Sequence, residues 1–337
     1  MSPSLVITHS PVLLEEVRAA LAPARPDSLM VDCTLGEGGH AASFLESWPS
    51  LRYIGIDADP RIQAKARERL AGFGDRITYR LGWFDEVLAS MYGEIASGGM
   101  SHPDLVLFDL GISMHHYLEA GRGFGFAKDE PLDMRLSPEA PRSAADIVNG
   151  EREDELARII YEYGEERYSR RIAKAIVDAR RVAPIATSGR LEGIVFGSVP
   201  LAYRHGRIHP ATRTFQALRI EANDELGRAW RGLSRAASIL APGGRLAVIT
   251  FHSLEDRIAK TLFRAVVGKG DSSSLPAEVR PIIEGMRSSS SYELPFRKPI
   301  EPGEAEIARN PASRSAKLRV LTRLGADRAE AVRGGRE

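Results

Sequence analysis

The sequence predicts an α/β protein, a doubly wound sheet that carries a mostly helical insertion. Three observations predict it: short apolar runs ending in carboxylates, a glycine turn behind the first run, and helix-patterned segments between successive runs. Strands buried on both faces of a parallel sheet read as almost continuous apolar stretches. Residues 28–33, 52–57, 76–81 and 104–113 have that character. Their ends place Asp32, Asp57, Phe84 and Asp109 on one edge, where ligands of such sheets lie.

The flanking segments follow in order. Residues 11–22 carry apolar side chains at helical spacing behind Pro11, and residues 60–72 form a helix with Pro60 near its start. Trp83 and Phe84 lead into the helical DEVLASMYGEI. From 114 the alternation stops, and 114–222 reads as an insertion with helices at 153–163, 167–182 and 188–197. An insertion beside a ligand edge is a natural substrate platform. Residues 212–240 read as one long helix ending at Pro242-Gly243-Gly244. A fifth strand (244–253), its helix (254–267) and a final strand (316–324) complete the sheet, so 1–113 and 223–324 form the cofactor-binding domain. The serine-rich stretch 268–291 is expected to be mobile, and the tail 325–337 disordered.

Bulk properties bound the function. With 337 residues, 43% hydrophobic and 27% charged, the chain suits one large globular domain or two ordinary ones. A net charge of +1 gives no global attraction to nucleic acid, so an RNA surface has to come from local clusters. The single cysteine, Cys33, excludes an intramolecular disulfide and a cysteine-rich zinc site. No run approaches the roughly 18 apolar residues of a membrane helix, and the N-terminus lacks a basic leader, so the expected location is the cytoplasm.

Gly36, Gly38 and Ala41 fit a G-x-G-x-x-A fingerprint, with Asp57 placed to hold the hydroxyls of a ribose. A pyrophosphate needs bare amides, whereas Asp32 and Glu37 flank these glycines. An acidic turn suits a cationic ligand, and S-adenosylmethionine carries a sulfonium and an ammonium on an adenosine. A dinucleotide, or a turn that only packs a helix on the sheet, stays open at this point.

Three segments are locally basic: 167–181, 204–219 and 307–323. Phosphate binding needs such clusters, and Phe124, Phe126 and Tyr203 are candidate stacking partners for an unpaired base. A solvated helix face is the plainer alternative. The histidines lack the compact spacing of a zinc motif, so no catalytic metal is expected.

The blocks HSPVLLEEV (9–17), DCTLGEGGH (32–40), GIDADP (55–60), DLGIS (109–113), RGFGF with PLDMR (122–135), RIHPATRTFQALRIEANDEL (207–226), ITFHSLEDRIAK (249–260) and NPASRSAKLRV (310–320) together resemble the MraW/RsmH family. The resemblance runs from residue 9 to about 323. It implies a Rossmann-like class I methyltransferase sheet, S-adenosylmethionine as cofactor, and methylation of N4 of a cytosine in the decoding region of small-subunit (16S) ribosomal RNA. It also implies the RNA or the small ribosomal subunit as partner. By position it assigns Gly38, Gly39 and His40 to the cofactor turn, Asp57 to the ribose, Phe84 to the adenine and Asp109 to the end of the fourth strand. A further cofactor contact falls on His116, where the family's S-S-P-Q-like continuation is replaced by Ser113, Met114, His115 and His116. Phe124, Asp133, Arg135, His209, Arg213, His252 and Ser253 are the substrate-side candidates.

Methylation of cytosine C5 generally needs a cysteine nucleophile, and Cys33 sits inside the cofactor motif as a packed small side chain. An exocyclic amine needs no covalent step. Asp109 or the Leu110 carbonyl is the expected acceptor for the amine, with the base out of its stack near Phe124 or Phe126. The alternatives are a nicotinamide-dependent oxidoreductase and a non-catalytic RNA-binding or assembly factor on the same fold.

Overall fold

The computed structural model describes residues 11–112 and 121–325. The chain divides into two compact units, Met1–Gly111 with Leu226–Glu337, and Ile112–Glu225.

The first unit is built on seven strands: β1 (Leu29–Asp32), β2 (Arg52–Asp57), β3 (Ile77–Leu81), β4 (Leu105–Asp109), β5 (Arg245–Thr250), β6 (Tyr292–Glu293) and β7 (Lys317–Arg323). They lie in the order β3-β2-β1-β4-β5-β7-β6. β1 to β5 are parallel, and β7 runs antiparallel between β5 and β6. This is a Rossmann-like, doubly wound sheet with an antiparallel strand near one edge. The chain leaves β1 toward β2 and β3, then returns to β4 on the other side of β1, which makes the β1/β4 edge the topological switch point.

Both faces of the sheet are buried, as the apolar runs require. Val31, Ile54, Ile56, Val106, Phe108, Leu246 and Val248 share one core with Leu88, Leu233, Ile258 and Phe263. Their neighbours Met30, Tyr53, Leu105, Leu107, Ala247 and Ile249 pack on the opposite face with Val17, Phe44 and Leu70. A period of two along each strand therefore feeds two separate helix layers.

Two sequence expectations change here. The stretch 212–240 is two helices, Ala211–Asn223 and Glu225–Ile239, because Asp224 adopts a left-handed conformation (φ 50°, ψ 39°) that no helix can pass through. The serine-rich stretch 268–291 contains a 3-10 turn (Ser272–Ser274) and a helix (Arg280–Ser289). Val279, Ile283 and Met286 bury one side of that segment in the first core, which anchors it despite its composition.

The second unit is helical in its regular parts: Ala144–Gly150, Glu153–Gly164, Ser169–Val182, Ser188–Ser198, Leu201–Arg204 and Ala211–Asn223. Ile147, Ile159, Ile160, Ile172, Ile176, Leu191, Val195, Phe215 and Leu218 form its core. Gly164 sets one close crossing: a Cβ there would stand 2.5 Å from the Arg213 carbonyl oxygen. The tail 326–337 lies outside the described residues.

Candidate active site

The turn after β1 is shaped by glycine. Gly36 (φ +55°) and Gly38 (φ +77°) take left-handed conformations, and a Cβ on Gly38 would meet Leu70 Cδ1 at 2.7 Å. Gly39 opens helix Gly39–Ser47 against Pro11, whose Cγ stands 2.7 Å from its Cβ position. Asp57 ties this turn to the end of β2: Oδ2 accepts from the Gly36 amide (2.8 Å) and Oδ1 from the Asp59 amide (2.8 Å). Asp57 therefore stands at the end of β2 beside the glycine turn, the place at which an acid holds a ribose in doubly wound sheets.

Asp109 ends β4 beside this turn. Its amide donates to Thr34 Oγ1 at 2.6 Å, and its Oδ2 lies 3.8 Å from His40 Nδ1. Its Oδ1 is buried with no hydrogen-bond partner among the described residues. Burial, with Asp32 and Glu255 nearby, pushes its pKa well above the ordinary carboxyl range. His40 is buried as well; its Nε2 donates to the Val12 carbonyl at 3.2 Å, a tautomer assigned from that bond. Burial lowers its pKa to about 4, so the ring is neutral at physiological pH.

More acid surrounds this pair. Asp32, raised to about 6 by burial, accepts from Tyr53 Oη (2.9 Å) and from the Thr34 amide (3.1 Å). Glu255 is 3% exposed and accepts from the Phe251 amide at 2.8 Å. Asp32, Asp57, Asp109 and Glu255 thus gather at the carboxyl edge of one sheet. An ammonium or sulfonium there offsets their mutual repulsion, and an ammonium can also donate to the orphaned Asp109 oxygen, whereas a pyrophosphate does neither. The residues therefore fit S-adenosylmethionine. Sequence reasoning did not single out Thr34, Tyr53, the Val12 carbonyl or Glu255. Val12, Thr34 and Glu255 lie inside the family-like blocks, but nothing in the one-dimensional pattern pairs them with His40 or Asp109.

Phe84 opens helix Phe84–Ala96 and packs edge-on against Phe108, with ring centroids 5.3 Å apart. Gly232 lies against that ring: a Cβ there would meet Phe84 Cδ2 at 2.5 Å. His252 and Glu255 form a capping box at the start of helix Ser253–Val266, with His252 Nδ1 accepting from the Glu255 amide at 3.4 Å. Ser253 is exposed at the first turn of that helix.

In the second unit, Asp133 and Arg135 form a two-pronged pair of 2.6 and 3.1 Å. Burial opposes the charge on Asp133, but the Arg135 hydrogen bonds prevail and hold its pKa below the usual range. Phe124 is 5% exposed and belongs to that unit's core, so a base could reach its faces only by displacing neighbours. Phe126, partly buried, lies against His209 with ring centroids 4.6 Å apart and the planes tilted by 31°. His209 Nε2 in turn lies 3.3 Å from Glu192. Arg213 donates to the Glu165 carbonyl at 3.3 Å. His116 lies outside the described residues.

The basic segments split between structure and surface. Lys174 and Arg181 pair with Asp178, Arg180 holds the Val148 carbonyl, and Arg219 clasps Glu225. Arg170, Arg171 and Arg207 are exposed and carry no ion pair among the described residues. Arg167 lies over the rings of Tyr168 and Tyr203, at 4.8 and 5.1 Å. No described helix is long and apolar enough to cross a membrane.

Comparison with known proteins shows the family of the chain. The protein of Treponema denticola named ribosomal RNA small subunit methyltransferase H is 51% identical over 317 residues, covering 94% of this chain and 97% of its own. Its namesake from Symbiobacterium thermophilum is 46% identical over 320 residues, with coverage of 94% and 97%. Among solved structures, an rRNA methylase from Streptococcus thermophilus aligns with a TM-score of 0.38 at 10% identity, over 92% of this chain and 93% of that one. The model of the MraW methylase family matches residues 6–324. A match over nearly all of the described residues, with full-length relatives at about half identity, makes this chain a member of the MraW methylase family.

Proposed function

We propose that the protein methylates the exocyclic N4 amine of a cytosine in the decoding region of small-subunit ribosomal RNA, with S-adenosylmethionine as methyl donor. The observation that carries this reading is the carboxyl group of Asp109, buried at the switch-point edge beside the glycine turn with one oxygen unsatisfied among the described residues. The relatives' shared name supports the class of RNA. The donor supplies an electrophilic methyl group on a positively charged sulfur.

The chain's own residues account for the rest. Gly38, Gly39 and His40 form the turn against which the donor lies, Asp57 holds its ribose, and Phe84 borders its adenine. Asp109 is ionised when a cation sits beside it, because the opposite charge offsets the burial that otherwise favours its protonated form. Its carboxylate, with the Leu110 carbonyl one residue on, accepts from the N4 amine and localises the nitrogen lone pair toward the methyl group. When the positive charge is lost on transfer, Asp109 Oδ1 regains its raised pKa and takes the proton released by the amine.

Attack at C5 is disfavoured for a separate reason. Cys33, the chain's one cysteine, is 2% exposed, and burial with Asp32 beside it pushes the thiol well above its usual pKa. The protein is to be incubated with labelled donor and small subunits lacking the modification, and the labelled nucleotide mapped by mass spectrometry. Label on cytosine N4 is expected; label on C5 or a ribose oxygen rejects the reading.

A further inference from the structure

The acid-rich edge that suits a cationic donor repels an RNA backbone, so a target nucleotide needs positive charge close by. Sheet register shows where the first unit supplies it. Asp109 pairs with Ile249, and Ile249 with Leu318, so the three lie in one row across β4, β5 and β7. Neighbouring strands are about 4.8 Å apart, which puts the start of β7 about 10 Å from Asp109 along that row. Because β7 is antiparallel, the segment that enters it, Pro311–Ser315, comes off the same edge as Asp109.

That segment is a built turn with an exposed arginine. Ser313 is fully buried, and its amide (2.9 Å) and Oγ (2.7 Å) both donate to the Asn310 carbonyl. The Ala316 amide donates to the Ser313 carbonyl at 2.7 Å. Arg314, one residue on, is exposed and has neither hydrogen bond nor ion pair among the described residues. Lys317 is part-exposed and shares Asp256 with Arg319, at 3.7 Å against 2.7 Å for the arginine.

The turn is also joined to the donor site. The Asn310 amide bonds the Glu306 carbonyl at 2.7 Å, and Glu306 Oε1 accepts from the Leu13 amide at 2.6 Å. Val12, the preceding residue, accepts from His40. A short series of bonds therefore fixes this turn relative to the glycine turn.

We infer that Arg314, with Lys317 beside it, binds a backbone phosphate of the substrate RNA strand at or next to the target nucleotide. The inference rests on the ribosomal RNA reading and adds a contact on the donor-binding unit itself. It is tested by steady-state kinetics on unmodified small subunits at several salt concentrations, with donor affinity measured by calorimetry. Arg314→Ala is expected to raise KM for the subunit about tenfold and to flatten the dependence of log KM on log salt by about 0.7. The change falls on KM rather than kcat, donor affinity stays at the wild-type value, and Arg314→Lys recovers most of the loss. Arg52→Ala, which removes an exposed charge at the opposite edge of the sheet, is the matched control. Wild-type KM and salt slope in Arg314→Ala overturn the inference, as does an equal effect from Arg52→Ala or an equal loss of donor affinity. A wild-type protein that leaves ribosomal RNA unlabelled fails the underlying reading instead.

Discussion

His40 Nδ1 and Asp109 Oδ2 stand 3.8 Å apart, and at neutral pH the pair is not a salt bridge. Burial holds His40 neutral, with its pKa at about 4, and drives the Asp109 carboxyl toward its protonated form. A cation bound at this edge therefore changes the ionisation of its acids.

Stability should report these shifts. His40 falls from 6.5 to about 4, so between those values the unfolded chain binds a proton that the native state refuses. Its contribution is present above pH 6.5 and lost as pH falls, about 3 kcal/mol in all. Asp32 is raised from 3.8 to about 6, so there the native state holds a proton that the unfolded chain has released. Its contribution has the opposite sign: present below pH 3.8 and lost as pH rises through 6, again about 3 kcal/mol. Asp109 acts in the same direction as Asp32. Asp32→Asn is therefore expected to make the slope of unfolding free energy between pH 4.5 and 5.5 more positive, by up to about 1.4 kcal/mol per pH unit. Urea titrations across that range measure it; a slope equal to wild type refutes the assignment.

Asp109→Asn keeps the shape of the side chain and removes its basicity. Turnover at saturating donor is expected to fall about a hundredfold or more, the range of a lost general base, and donor affinity weakens as well because the cation loses a carboxylate partner. Single-turnover kinetics with calorimetry separate the two. Wild-type turnover with unchanged donor binding would leave Asp109 without a catalytic role.

Gly232→Ala tests Phe84 without touching a polar group. The new methyl group must displace the Phe84 ring, whose nearest atoms lie 2.5 and 2.6 Å from it. Overpacking of this kind costs about 1–3 kcal/mol, and donor affinity should weaken by roughly tenfold if the ring borders the adenine. A variant that melts below wild type yet binds donor equally well would confine Phe84 to the core.

Asp85 is a structural counterpart to these site residues. Its side chain is 4% exposed and bonds both Arg228 (2.7 Å) and Arg231 (2.8 Å), while the Arg228 guanidinium lies 4.2 Å from the Trp83 ring. Asp85→Ala leaves two partly buried cations short of an acceptor and should cost about 3 kcal/mol in chemical denaturation. A loss under 1 kcal/mol would show that Glu86 takes over the role, through the 2.9 Å contact it already makes with Arg228.

The strands of the sheet were legible because both faces are buried, which leaves apolar runs that end where the edge begins, at Asp32, Asp57 and Asp109. The break at Asp224 was not, since neither glycine nor proline marks it and an aspartate can take the left-handed conformation unannounced. Serines masked helix Arg280–Ser289, although Val279, Ile283 and Met286 recur at helical spacing. In the site, glycines and terminal acids announced themselves through local pattern. The Thr34 bond to Asp109, the Tyr53 bond to Asp32 and the Val12 bond to His40 join residues separated by 75, 21 and 28 positions, and topology alone brings them together.

β7 also bears on how the protein comes into being. The strand that fills the place between β5 and β6 is the last of the seven to be synthesised. Until residues 317–323 are available, β5 offers an open edge to any other extended chain, and the phosphate-facing turn has nothing to hang from. Folding of this unit thus waits on a pairing between distant parts of the chain, which is slow by nature. A nascent protein that lacked this strand would pair with its neighbours before it could ever methylate a substrate.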